Sequence, residues 1–166
     1  FGFFALCCFP QPLSKRLGDK PAATGREGYL HCYDVSPVTL STFARGVASA
    51  CSPIGEPAVQ VTGDLDRLIS RVGVGTGCAC DVDIFRDMGC DCSIVCDDGS
   101  CYWSVIQRAE DMGHPVIRVN HGTSEEPGMV TLTNYINDCV AGVSAEHFPH
   151  GSTFRLVGAD IAPDVK

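Results

Sequence analysis

The chain has 166 residues, 45% of them hydrophobic, and a formal net charge of −8. That length supports one domain with a core of its own. The acidity argues against a general affinity for nucleic acid or anionic membrane, since both need clustered Lys and Arg. No run approaches the roughly 20 apolar residues of a membrane span, and a cytoplasmic location is expected.

The opening Phe1-Gly-Phe-Phe-Ala-Leu-Cys-Cys-Phe9 is apolar but short. It lacks the basic leader and small-residue cleavage site of a signal peptide. With no initiator methionine, the chain is expected to begin inside a longer protein. Residues 1–28 keep no steady period, and Pro10, Pro12, Gly18, Pro21 and Gly25 interrupt them, so they read as an irregular extension. The domain is expected over 29–158, with a tail at 159–166.

A short strand is expected at 28–33. Ser36-Pro37 has the chemistry of a helix start, with Ser as cap and Pro in the first turn. Val38, Phe43, Val47 and Ala50 then keep a helical spacing, and Ser52-Pro53-Ile-Gly55 stops it. Strands are expected at 57–62, 69–74, 92–96 and 116–120. Helices are expected at 81–88, 102–112 and 124–139, the second of these with Trp103, Ile106 and Met112 on one face. Residues 145–148 and 152–157 read as a closing hairpin around Pro149-His150-Gly151. Strands spaced by helices indicate βαβ units. The expected fold is therefore three-layer α/β, a mostly parallel sheet with helices on both faces.

Ligands of open α/β sheets bind beyond the carboxyl ends of the strands. The loops 75–80, 97–101 and 121–125 follow consecutive strands and are expected to share one such edge. His121 closes the fourth strand, and Glu125 falls in the first turn of the expected helix. An imidazole and a carboxylate at that lip suit a divalent metal, one as a borderline nitrogen ligand and the other as a hard oxygen ligand. The alternative is that Glu125 caps the helix and His121 closes the turn.

Asp97 and Asp98 occupy the preceding loop, where paired carboxylates serve as ligand, histidine-orienting group or general base; a solvated Asp-Asp-Gly turn is the alternative. Gly73, Gly75 and Gly77 resemble a phosphate-cradling loop, but Cys78 breaks the dinucleotide pattern, and tight packing competes with anion contact. His147 and His150 flank Pro149 on the expected hairpin, where they either join a metal site or sit on its rim. His114 precedes Pro115 at a helix end, where the dipole favours an imidazolium, and reads as a structural residue. Arg118 lies within a strand and snorkels or pairs with an acid. The eleven cysteines read as reduced small apolar residues. A zinc or iron–sulfur cluster of Cys78, Cys80, Cys90 and Cys92 is the alternative.

These segments resemble a known family. Val-x-Asn-His121-Gly-Thr-Ser124-Glu125 looks like its strand–His–x–x–(Ser/Thr)–Glu metal motif. Gly63-Asp64-Leu-Asp66-Arg67-Leu-Ile-Ser-Arg71-Val-Gly-Val-Gly75-Thr-Gly77 looks like an upstream segment of it, and Val38-Thr-Leu-Ser-Thr-Phe43 matches the part before that. The family is the Nif-three-like (Ngg-one-interacting-factor-three-like) family, often described as GTP cyclohydrolase I type 2 homologues, and the likeness covers about residues 28–157. It implies an α/β fold of two similar halves, a toroidal homohexamer, and a two-metal site of zinc, iron or similar ions between the halves. The ligands it implies are an N-terminal His-His-Pro motif, a later aspartate, and a C-terminal His and Glu. Only the last two map here, onto His121 and Glu125. No His-His-Pro occurs in the chain, and Tyr102-Trp103 stand near where the family has tyrosine-histidine.

The chain is thus expected to be the C-terminal half of such a protein. Its expected function is metal-dependent hydrolysis, with a nucleotide as the expected substrate class, Asp97 or Asp98 as base or orienting group, and the glycine loop near an anionic group. A non-catalytic oligomeric metal-binding or assembly module is the second reading. A cysteine-based redox or metal sensor is the third.

Overall fold

The computed structural model of the chain describes residues 23–157. Its centre is a six-stranded sheet in the order β1-β2-β4-β5-β6-β3. The strands are β1 (Gly25–Glu27), β2 (Leu30–Thr39), β3 (Gln60–Thr62), β4 (Leu68–Val74), β5 (Cys92–Cys96) and β6 (Val116–Val119). The four α-helices are α1 (Leu40–Cys51), α2 (Val82–Asp87), α3 (Gln107–Asp111) and α4 (His121–Cys139).

The α/β class holds, but the sheet is mixed rather than mostly parallel. Only β4–β5 and β5–β6 pair in parallel. The pairings β1–β2, β2–β4 and β3–β6 are antiparallel. The physical reason is visible in β5, whose five residues are all buried. Only such a strand, covered on both faces, needs parallel neighbours with helical crossovers. The flanking strands carry exposed positions and close the sheet as antiparallel edges.

Two apolar clusters cover the two faces. Tyr33, Leu40, Ile69, Val72, Ile94 and Ile117 pack with α1. Phe85 and Val82 of α2, Ala109 of α3, Val95 and Val116 form the other. The two-residue alternation of each strand divides its side chains between these layers.

Several elements begin elsewhere than the sequence signals imply. Ser36 and Pro37 do not open a helix. They lie inside β2, whose register against β4 shifts between Asp34 and Val38. The β-branched Val35, Val38 and Thr39 hold the chain extended, and Thr39 is the actual cap, accepting from the Thr42 N–H at 3.4 Å. The 102–112 segment splits into a π-turn, Tyr102–Ile106, followed by α3. Its buried face is Ile106 and Ala109, whereas Trp103 is 75% exposed and Met112 53%. The hairpin expected at 145–157 does not form, and no strand is assigned there. The first strand starts at Gly25, inside the stretch expected to be irregular.

His114 is structural, as expected, but as a buried ring rather than the imidazolium that a helix end favours. It is buried, and its Nε2 shares a hydrogen bond with Ser93 Oγ at 2.8 Å. Burial, reinforced by Arg67 and Arg86, pushes its pKa below the ordinary 6.5. A folded-state value below the unfolded one favours the fold while the ring is neutral. His114 therefore contributes stability that is present above pH ~6.5 and is lost as pH falls from there through the lowered value. Urea midpoints should fall over that range, and less so in His114→Gln. Equal slopes in the two proteins would contradict this.

Candidate metal site beyond the parallel strands

The three parallel strands deliver their loops to one edge, as the sequence implies. β4 leads into Gly75–Thr76 and a 3-10 turn, Gly77–Ala79. β5 ends at Cys96 and releases Asp97 and Asp98. β6 ends at Val119, and Asn120 caps α4, its side chain accepting from the Gly122 N–H at 3.1 Å.

Because Asn120 is the cap, α4 starts at His121 rather than at Ser124. Glu125 consequently sits in the second turn rather than the first. The helical rise places residues four apart on one face, so His121 and Glu125 point to the same place. His121 Nε2 lies 3.1 Å from Glu125 Oε1. The other ring nitrogen, Nδ1, lies 2.6 Å from Asp98 Oδ2. His121 and Glu125 are partly exposed, at 35% and 44% of their side chains, so the pair is open to an ion from solvent.

The hydrogen bond to Asp98 raises the His121 pKa above its ordinary 6.5, against the pull of partial burial and with help from Glu125. Burial alone would lift the Asp98 carboxyl. The hydrogen bonds with His121 and the Cys96 thiol, together with the charge of His121, outweigh it and hold Asp98 below the usual carboxylate range.

Asp97 and Asp98 divide their work. The Asp97 Oδ1 accepts the His121 backbone N–H at 2.9 Å, and its Oδ2 accepts Asn120 Nδ2 at 3.0 Å. Asp97 therefore fixes the start of α4, and Asp98 orients the ring. Among the described residues Arg118 pairs with no acid; it donates to the Asp97 carbonyl at 2.6 Å and to Ser100 Oγ at 3.1 Å, which shapes the same loop.

The glycines divide as well. A Cβ on Gly73 would stand 2.4 Å from the Phe85 ring, and one on Gly75 would stand 2.6 Å from Cys80 Cβ. Both are close-packing positions. Gly77 has φ +61°, and a Cβ there would lie 2.7 Å from Glu125 Oε1 and 3.5 Å from His121 Nε2. Its N–H faces Ser124 Oγ at 3.3 Å. Gly77 thus leaves a cradle over the two ligand atoms.

Cys96 was not legible as a site residue, although it directly precedes Asp97-Asp98. Its Sγ contacts Asp98 Oδ1 at 3.2 Å and the Gly77 carbonyl at 2.6 Å. With Asp98 and His121 it forms the one group of three candidate metal ligands among the described residues. That trio and the His121–Glu125 pair imply different metal positions, because one uses Nδ1 and the other Nε2. The Nε2 side fits better. The Cys96 thiol already contacts the Gly77 carbonyl and Asp98 Oδ1, and its hydrogen bond to Cys80 with burial raises its pKa, so an ion on that side would have to displace its proton and those contacts. Asp98 and Nδ1 meanwhile form the carboxylate–histidine pair that orients metal-binding imidazoles. Two atoms bonded to one ion at about 2.0–2.2 Å in tetrahedral geometry stand roughly 3.3–3.5 Å apart, close to the observed separation.

The alternative cysteine cluster does not assemble. Cys80 faces Cys96 at 3.9 Å and Cys90 faces Cys32 at 3.0 Å. His147 and His150 do not join the lip as ligands. His147 Nε2 meets the buried Glu126 at 2.8 Å, and the His150 N–H donates to the same carboxylate at 3.0 Å.

The sequence model of the family described as Duf34/NIF3 (NGG1p interacting factor 3) matches residues 12–150. No curated protein matches. The fold is similar to that of the Staphylococcus aureus protein SA1388, with TM-score 0.59 and 20% identity over 78% of this chain and 37% of that one. A Bacillus cereus protein related to NIF3 superposes with TM-score 0.58 and 20% identity, over 77% of this chain and 35% of that one. The protein ybgI, of unknown function, gives 0.55 and 20%, over 71% and 47%. The chain therefore spans less than half the length of these solved structures.

Proposed function

The chain belongs to the Duf34/NIF3 family, and on that premise we propose that it is a metal-binding protein in which His121 and Glu125 hold a divalent ion, zinc, iron or similar, for hydrolysis of a nucleotide-like substrate. One observation carries the reading: the 3.1 Å approach of Nε2 and Oε1 under the cradle of Gly77. A divalent ion bound there supplies Lewis acidity and lowers the pKa of water near neutral pH. The protein's own residues do the rest. Asp98 holds the proton on Nδ1, which leaves the Nε2 lone pair aimed at the site. Asp97 anchors the backbone of His121. Gly77 keeps the space above both ligands free, while Gly73 and Gly75 serve the packing beneath.

A catalytic ion normally has three or more protein ligands, and the Nε2 side offers two. We therefore propose that the site is completed from outside this stretch, by the rest of a longer chain of which this is the C-terminal part, or by a second copy in a family-type hexamer. If neither occurs, the module binds metal and assembles without catalysis. The test is GTP turnover and metal content in sized oligomers, with and without a chelator. The hydrolase reading expects chelator-sensitive turnover. In Gly77→Ala, whose Cβ would stand 2.7 Å from Glu125 Oε1 and displace that ligand, it expects zinc affinity to fall. Stable zinc-bound oligomers with no turnover would favour the assembly module instead.

A further inference from the structure

Outside the metal site, three sulfur atoms converge where β2 passes the entry to β5. Cys32 Sγ stands 3.0 Å from Cys90 Sγ and 3.8 Å from Met88 Sδ. Both thiols are buried, Cys32 at 0% and Cys90 at 5% exposure. The separation is only about 1 Å more than a disulfide bond, which is ~2.05 Å long. Cys80 and Cys96 stand farther apart, at 3.9 Å, and Cys96 contacts Asp98 beside the candidate metal site. Cys78, Cys101 and Cys139 are exposed.

The cover over this cluster is thin. Gly25 of β1 pairs with Cys32, and a Cβ added to Gly25 would meet Cys32 Cβ and Met88 Cε at 3.6 Å each. β1 is a three-residue strand at the sheet edge. Short edge strands open at low free-energy cost, so brief fraying of β1 admits a small oxidant. Burial and the contact with Cys32 push the Cys90 thiol up, more than the nearby Arg71 guanidinium draws it down, so the pair rests as thiols.

We propose that Cys32 and Cys90 form a redox-reversible dithiol–disulfide pair, oxidised by a peroxide and reduced by a small thiol, that ties β2 to the start of β5. One sulfur gives up its proton and attacks the peroxide; the O–O bond breaks, the sulfur becomes a sulfenic acid, and the departing hydroxide takes that proton and leaves as water. The second thiol displaces the hydroxyl as a second water, and the S–S bond forms. Two thiols lose two protons and two electrons, and hydrogen peroxide takes them up as two waters.

The test uses the full chain, first reduced and then treated with hydrogen peroxide. Remaining thiols are alkylated in denaturant, and the peptides are mapped. The expected result is a Cys32–Cys90 cross-link that dithiothreitol removes. The unfolding temperature should rise on the order of 10 °C, because the link closes a long loop in the unfolded chain. Cys90→Ala should lose both effects. Recovery of Cys32 and Cys90 as alkylated thiols while other cysteines are oxidised would overturn the proposal. So would recovery of both only as sulfinic or sulfonic acids. Mapping of the unsubstituted chain decides the matter even if Cys90→Ala fails to fold.

Discussion

His121→Ala should lower zinc affinity by at least about 100-fold while the fold survives. The magnitude follows because loss of an orienting partner alone costs about 10–100-fold, and loss of a ligand exceeds that. The fold should survive because the ring is partly exposed and the start of α4 is held through backbone groups. Asp97 accepts the His121 N–H, a bond that alanine retains, and Asn120 still caps the helix. Asp98→Asn should fall between, at about 10–100-fold, since it leaves Nε2 in place but loosens the ring.

The pH dependence separates the two variants further. The hydrogen bond to Asp98 raises the His121 pKa above the ordinary 6.5. A protonated imidazole cannot ligate, so zinc affinity should begin to fall at a pH above 6.5 as the solution is acidified. In Asp98→Asn that fall should move to lower pH. Isothermal titration with zinc across pH 5.5–8 checks both expectations.

Phe85→Ala should cost about 3–5 kcal/mol of stability. Phe85 is fully buried between α2 and the sheet, and its ring occupies the space where Gly73 carries no side chain. The pair gives a sharper test than either residue alone. Gly73→Ala forces a methyl to within 2.4 Å of the ring, an overpacking worth about 1–3 kcal/mol. In the Phe85→Ala background the ring is gone, and the added methyl fills part of the cavity. The two changes should therefore be non-additive, with Gly73→Ala destabilising alone and neutral or stabilising in the double variant. Urea unfolding of the four proteins measures the coupling. Additive costs would show that Gly73 is constrained by something other than Phe85.

The interior strands were legible because most of their residues are apolar. Cys92–Cys96 and the stretch around Val116 could be read directly, and the sharing of one edge by their loops followed from the parallel crossovers. Of the two sheet edges, β3 falls within the strand expected at 57–62, but the β1 edge was not legible. β1 is three residues long and gains its partner only from β2. β2 absorbs a Ser-Pro pair that has the local chemistry of a helix cap, and tertiary pairing with β4 overrides it. At the site, the spacing of four between His121 and Glu125 was informative because α4 is helical from its first residue. The division of labour between Asp97 and Asp98 was not, since it depends on which carboxylate faces a backbone N–H and which faces a ring. Cys96 was hidden among eleven cysteines, most of which in the described chain pack as apolar groups.

The most direct measurement is a long-range proton–nitrogen spectrum of the histidine rings during a zinc titration. Zinc on Nε2 of His121, with Nδ1 keeping its proton toward Asp98, is the expected result, and Glu125→Gln should weaken it. Zinc on Nδ1 would move the ion to the Asp98–Cys96 side and contradict the site described here. An unchanged His121 ring at saturating zinc would contradict metal binding at this lip altogether.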